Sequence, residues 1–159
     1  MIERTLVLMK PDAVARSLVG EIITRFEKAG LKIVGMKMVW ISKDFSKKHY
    51  NAHVAKKFYI QLEDYVTSGP IVAIAIEGVH SVENVRKLVG PTEPLKAAPG
   101  TIRGDYSHHS FAHADAMNKS VFNLIHASGN KEEAEIELKL WFNDDELQSY
   151  KTVHEEHVF

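Results

Sequence analysis

Short, solidly apolar runs alternate along this chain with stretches in which apolar residues recur every three or four positions. Thr5-Leu6-Val7-Leu8-Met9 is one such run, too short for a globular helix and closed by Pro11, and it predicts a buried strand. Val19, Ile22, Ile23 and Phe26 fall at i, i+3, i+4 and i+7, the stripe of an amphipathic helix that Gly30 ends. Leu31 to Ile41 is rich in Val, Ile, Met and Trp but interrupted by Lys32 and Lys37, which suits a partly exposed strand. Residues 43–67 read as helical in two pieces, stopped by Ser68-Gly69-Pro70. Ile71 to Ile76 is apolar at every position and predicts the most buried strand. In the next helix Ser81 is placed as the cap, Val82, Val85 and Val89 face inward, and Gly90 is the stop. From Gly90 to about Asn118, Pro91, Pro94, Pro99, Gly100 and Gly104 predict a long loop, and loops of that length in a compact domain usually serve function. Val121 to His126 predicts the last strand. Asn130-Lys131-Glu132-Glu133 then opens a helix with capping-box spacing, striped by Ala134, Leu138 and Trp141.

The resulting order is strand, helix, strand, helices, strand, helix, loop, strand, helix. This is the ferredoxin-like βαββαβ pattern, an α/β sandwich with an antiparallel four-stranded sheet and added helices. No repeat or linker divides it, so residues 1–159 read as a single domain. Net charge is −1, without the basic excess of a nucleic-acid binder, so no specific nucleic acid is expected as a partner. The absence of cysteine excludes disulfides, thiol catalysis and zinc-thiolate sites. Leu6 to Met9 is too short to span a bilayer, and Met1-Ile2-Glu3-Arg4-Thr5 lacks a basic-then-apolar leader layout. A soluble, cytoplasmic protein is the expectation.

Singly, the residues able to do chemistry have ordinary explanations. Lys10 ends a strand, Arg86 suits the C-terminus of its helix, Arg103 and Thr92 lie in loop, and Phe58 has the spacing of a core residue. A histidine such as His126 beside an apolar strand is usually a hydrogen-bonded structural residue. Their combination in order is more specific. Leu8-Met9-Lys10-Pro11-Asp12, Ser68-Gly69-Pro70, Pro99-Gly100-Thr101-Ile102-Arg103-Gly104-Asp105, Asn123-Leu124-Ile125-His126-Ala127-Ser128 and Leu140-Trp141-Phe142 together resemble the nucleoside diphosphate kinase family, from Glu3 to about Tyr150.

That resemblance implies a nucleotide-binding transferase with a ping-pong mechanism. His126 would take the γ-phosphoryl of a nucleoside triphosphate, typically ATP, and pass it to a nucleoside diphosphate. Imidazole suits the task because it is substantially neutral near pH 7. Glu137 would orient the ring, with Ser128 in support. Lys10, Arg86, Arg103, Thr92 and Asn123 would hold phosphates, Tyr50 would offer a hydroxyl, and Phe58 would stack on the base. No G-x-x-x-x-G-K-[ST] loop is present, so side chains must grip the phosphates, with Mg2+ riding on the nucleotide and no metal site in the protein. The family also implies a homo-oligomer, a hexamer in preference to a tetramer.

The chain departs from the family pattern in two places. Gly129 stands where the family usually has an acid, and Asn130 is expected to take over the helix cap. An insertion, Ser107 to Ala116 within roughly 107–118, falls where the family sets a small apolar residue against the base; Phe111 within it predicts packing beside the base pocket or a neighbouring subunit. His49 with His53, and His108 with His109 and His113, complete no evident metal ligand set. Arg103-Gly104-Asp105 and Asn118-Lys119-Ser120 match adhesion and glycosylation motifs that need a secretory context. Two rival readings are a non-enzymatic RNA-binding module and an inactive scaffold of the family. The first predicts aromatics on a central strand, and Ile71 to Ile76 has none; the second conflicts with the presence of His126 and every phosphate ligand.

Overall fold

The computed structural model describes residues 1–159. In chain order the elements are β1 (Ile2–Met9), α1 (Pro11–Ala15), α2 (Val19–Lys28), β2 (Lys32–Val39), α3 (Lys43–His49), α4 (Tyr59–Val66), β3 (Ile71–Val79) and α5 (Ser81–Val89). They continue with α6 (Ile102–Tyr106), α7 (Phe111–Ala116), β4 (Ile125–Ala127), α8 (Lys131–Trp141) and α9 (Glu155–Val158). The strands form one four-stranded sheet in the order β2-β3-β1-β4, every neighbour antiparallel. This is the ferredoxin-like arrangement expected from the element order.

The solidly apolar runs are explained by helices on both faces. Leu6 and Leu8 of β1, with Ala73 and Ala75 of β3, point into a core completed by Tyr59, Leu62 and Val66 of α4 and Leu138 and Trp141 of α8. Val7 and Met9, with Val72, Ile74 and Ile76, point the opposite way onto Ile22 and Phe26 of α2 and Val85 and Val89 of α5. A strand buried on both sides has no solvent face and therefore no alternation. β2 is different because it is an edge strand: Met36 and Met38, and Trp40 just beyond, are 59%, 60% and 68% exposed.

Four expectations need correction. The last strand is Ile125–Ala127 and not Val121 to His126, because Leu124 turns through the left-handed region (φ 68) and breaks the extended run. The stretch from Gly90 to Asn118 is not loop throughout: it carries a 3-10 turn at Pro94–Lys96, then α6 and α7, whose N-caps Thr101 and Ser110 accept from Gly104 N and His113 N. Ser81 does not cap α5. His80 holds that position (φ 46), and the Ser81 hydroxyl donates instead to the Glu3 carbonyl at 2.8 Å. Finally, α1 was not foreseen, since Pro11 both closes β1 and supplies a favoured first helical residue. At α8 the expectation is met: the Asn130 side chain accepts from Glu133 N. Glu133 accepts from Gly129 N at 3.0 Å, so its carboxylate fills the space beside Gly129.

Gly104 sits in α6 directly against the Ala98 carbonyl, and any Cβ there runs into that carbonyl and the Thr101 hydroxyl. Gly104→Ala must displace the turn before α6, so it should lower unfolding free energy by roughly 1–3 kcal/mol. Urea unfolding with an unchanged midpoint and slope would contradict this packing.

Candidate active site

The site is built where the C-terminal end of β1 meets β4. Leu8 pairs with His126 across the two strands. The residues leading into β4 are held by β1 and α1. Lys10 N donates to the Leu124 carbonyl at 2.8 Å, and the Asp12 carboxylate accepts from Leu124 N at 3.1 Å and from the Tyr65 hydroxyl at 2.6 Å. Left-handed backbone at a fully buried leucine costs on the order of 1 kcal/mol or more, and these bonds hold it. The consequence is directional: the turn at Leu124 lets Asn123 and His126 serve the same cavity.

His126 Nε2 lies 2.9 and 3.0 Å from the two Glu137 oxygens, and Ser128 Oγ donates to Glu137 Oε2 at 2.5 Å. A carboxylate accepts, so the Nε2 proton belongs on His126 and its Nδ1 keeps the free lone pair. Burial pushes the Glu137 carboxyl up, but the hydrogen bonds from His126 and Ser128 and the charge of His126 outweigh it and hold the group below its ordinary value. The His49 ring, with no side-chain exposure, packs edge-on against His126 at 4.7 Å between centroids. Its Nδ1 accepts from Trp141 Nε1 at 3.1 Å, and burial, reinforced by His126, drives its pKa to about 3, so it is neutral. Tyr50 also packs edge-on to His126, and burial keeps its phenol protonated by raising its pKa well above the usual range.

His126 opens on a cavity of about 610 Å3. Lys10, Arg86, Arg103, Thr92, Asn123 and Tyr50 line it together with the histidine, and Phe58 stands on its wall, 51% exposed. Lys10 and Arg103 are both buried, at 7% exposure. Lys10 Nζ donates to Asn123 Oδ1 at 2.8 Å, and desolvation, with Arg103 nearby, lowers its pKa to about 7. Arg103 donates to three carbonyls: Gly90 at 2.9 Å, Asn123 at 3.2 Å and Ile125 at 2.5 Å. Desolvation lowers its pKa to about 10, which leaves it charged at neutral pH. Asn123 Nδ2 donates to the Thr92 carbonyl at 2.9 Å, tying two segments of the cavity wall together.

Eight of the ten residues singled out in the sequence line this one cavity, and the other two, Glu137 and Ser128, stand behind His126. Phe58 is no core residue: its ring is half exposed, with Lys56 Nζ over it at 5.8 Å. Asp12, Tyr65 and His49 were not singled out for these roles. Asp12 and His49 adjoin recognised residues in sequence, but only the fold shows Asp12 reaching the turn at Leu124, 112 residues along the chain. His49 and His53 do not converge as ligands: His49 Nδ1 faces Trp141, whereas His53 Nδ1 is 3.0 Å from Lys56 Nζ. The potential ligand atoms of His49, His126 and Glu137 lie within 4.8 Å of one another, yet those of His126 and Glu137 already bond to each other. The insertion packs beside the cavity as expected, through Ala114 at 2% exposure; Phe111 lines it while staying 44% exposed, so the burial that motivated the expectation is only partial.

The family model described as nucleoside diphosphate kinase matches residues 3–147. A nucleoside diphosphate kinase of Pyrococcus furiosus is 52% identical over 149 residues, 94% of this chain and 88% of that one. Among solved structures, a Borrelia burgdorferi nucleoside diphosphate kinase in a transition-state mimic with vanadate and ADP superposes with a TM-score of 0.95, at 41% identity, over 99% of this chain and 96% of its own. One from Halobacterium salinarum in complex with CDP gives a TM-score of 0.89, also at 41% identity, covering 100% and 99%.

Lys10 has a stability signature. With a folded pKa near 7 against an ordinary 10.5, the unfolded chain holds the proton between those values and the folded chain does not, so stability rises with pH across that window. Lys10→Met should therefore melt above the unsubstituted protein at pH 7, with the gap narrowing towards pH 10. A gap that does not change with pH would show that the ammonium is not desolvated.

Proposed function

The chain belongs to the nucleoside diphosphate kinase family, and from that premise we propose how its residues carry out the transfer. The enzyme is a nucleotide-binding kinase that moves the γ-phosphoryl of a nucleoside triphosphate to a nucleoside diphosphate. The observation that carries the residue assignment is the His126-Glu137-Ser128 chain. It pins Nε2 and leaves Nδ1 as the free nitrogen of a side chain on the cavity wall.

In the first half-reaction Nδ1 attacks the γ-phosphorus, the bond to the β,γ-bridging oxygen breaks, and the nucleoside diphosphate leaves with that electron pair. In the second, a terminal β-phosphate oxygen of a new diphosphate attacks, the N–P bond breaks, and the lone pair returns to Nδ1. Throughout, the Nε2 proton stays on the ring, held by Glu137, whose negative charge offsets the charge that develops on the imidazole. Lys10, Arg86, Arg103, Thr92 and Asn123 surround the phosphates. A guanidinium has five N–H groups, so with three on carbonyls Arg103 keeps two for phosphate oxygens. Phosphoryl transfer of this kind depends on positioning and on neutralising charge spread over oxygens. Tyr50, buried and protonated, offers its hydroxyl as a donor beside the transferring group. Phe58 stacks on the base, an interaction open to every base.

Asp115 is the only carboxylate on the cavity wall, so the residues present form no cage for a divalent cation and fit Mg2+ carried by the nucleotide phosphates. Mg2+ so bound neutralises phosphate charge. We read residues 1–159 as one domain with an insertion around 107–118. No helix is long and apolar enough to cross a membrane, and we place the enzyme in the cytoplasm.

To test the assignment, the protein is mixed with ATP and Mg2+ without acceptor. One acid-labile phosphoryl group should appear on His126 by mass spectrometry. His126→Ala should carry none, and Glu137→Gln should slow labelling on the order of tens-fold with less effect on ATP affinity. A label on any other residue would refute the scheme.

We further propose a homo-oligomer, a hexamer in preference to a tetramer. The C-terminal segment covers the first half of edge strand β2, where Gln148 N donates to the Val34 carbonyl at 2.7 Å, and leaves Met36, Met38 and Trp40 exposed; that uncovered apolar half supports assembly, since it invites pairing with another chain. Light scattering that finds a monomer at micromolar concentration would contradict it.

A further inference from the structure

Besides the cationic residues, the cavity wall includes Phe58 and, from the insertion, Phe111, Ala114, Asp115 and Lys119. Gln61, three residues after Phe58, donates to Asn118 Oδ1 at 3.0 Å, so the end of the insertion lies against the start of α4. Phe111, Ala114 and Asp115 stand at i, i+3 and i+4, so α7 turns one face to the cavity. The turn after α7 fixes Lys119 relative to that face. Asn118 adopts the left-handed conformation (φ 50), Lys119 N donates to the Ala114 carbonyl at 2.9 Å, and Asn118 N donates to the Asp115 carbonyl at 3.1 Å. These paired bonds are the usual closure of a helix C-terminus on a left-handed residue. Asp115 and Lys119 are thus exposed side chains on a shaped wall, one an acceptor and the other a donor.

Asp115 is conspicuous by sign. Its neighbours on this cavity include Lys10, Arg86, Arg103 and Lys119, and no other lining residue is acidic. A carboxylate in a pocket for a polyanion opposes binding unless it meets hydrogen-bond donors, and those donors must lie on the part of the ligand remote from the phosphates. In a nucleotide those donors are the ribose hydroxyls and, farthest from the phosphates, the N–H groups of the base. A carboxylate accepts two adjacent N–H groups well. Guanine offers such a pair, its ring N1–H and exocyclic amino group, beside a carbonyl oxygen suited to an ammonium donor. Adenine, cytosine and uracil do not present two adjacent donors next to an acceptor in that order.

Resting on the phosphohistidine reading above, we propose that Asp115 and Lys119 read the edge of the base stacked on Phe58, and bias the acceptor step towards guanosine diphosphate. The insertion would then be a specificity element laid over a clamp that accepts any base. Exposure to solvent limits the bias, because water competes for the same donors and acceptors.

The test isolates the second half-reaction. Enzyme charged with ATP and Mg2+ is freed of nucleotide and discharged by GDP, by IDP, which lacks the exocyclic amino group, or by CDP. Discharge by GDP should exceed that by IDP roughly tenfold, the scale of one bidentate base contact. In Asp115→Asn this preference should shrink to about twofold or less, while discharge by CDP changes little. Equal discharge by GDP and IDP in the unsubstituted protein, or an undiminished preference in a folded Asp115→Asn, would overturn the inference. CDP discharge reports the phosphoenzyme without the proposed contact, so its success with a failed GDP preference sinks base reading alone. Failure of CDP, with no label on His126 to discharge, sinks the phosphohistidine scheme beneath it.

Discussion

Arg103 is a buried guanidinium satisfied by main-chain carbonyls from two separate segments, the end of α5 at Gly90 and the approach to β4 at Asn123 and Ile125. Buried charge is expensive unless fully bonded, so those segments are held to the positions that supply the carbonyls. Lys10 adds to the constraint. It is bonded to a neutral amide, Asn123 Oδ1, and desolvation weakens its hold on a proton. Two cations kept among neutral acceptors leave a cavity short of negative charge. In the proposed reading a polyphosphate would supply that charge, and part of the free energy of binding would come from relieving a cost already present in the empty fold.

The same geometry separates positioning from chemistry. Asp12 never reaches the cavity wall, yet its carboxylate braces Leu124 N and the Tyr65 hydroxyl, and so sets the turn that presents His126. Glu137 fixes the other nitrogen of the ring, Ser128 fixes Glu137, and α8 is itself started by the Asn130 cap and the Glu133 carboxylate folded back on Gly129. His49 fills the space behind the ring with a neutral imidazole, which supports His126 sterically without adding a positive charge beside it. Rigid elements hold His126, whereas the insertion and Phe58 shape a more exposed part of the cavity wall.

Much of this was legible in the chain. Strands buried on both faces announce themselves as unbroken apolar runs, which is why β1 and β3 are plain in Leu6 to Met9 and Ile71 to Ile76. The stripes of α2, α5 and α8 follow from their spacing, and the Asn130 cap from local chemistry. The ten site residues were recognisable because their order resembles a family; taken one at a time, Lys10 or Phe58 would have passed for surface or core.

Other features depend on contacts between distant residues, and no local pattern encodes them. Leu124 has no intrinsic preference for a left-handed turn; Asp12 and Lys10, more than a hundred positions earlier, hold it there, and that shortened the strand expected from Val121. Helix α6 was hidden among prolines and glycines, and α6 and α7 are both so short that capping by Thr101 and Ser110 decides them. Burial turns Lys10 from an ordinary ammonium into one titrating near neutrality, and the composition of the chain carries no trace of that shift. Local order follows from neighbours a few residues apart, but the charge state and direction of a functional group follow from whatever the fold packs around it.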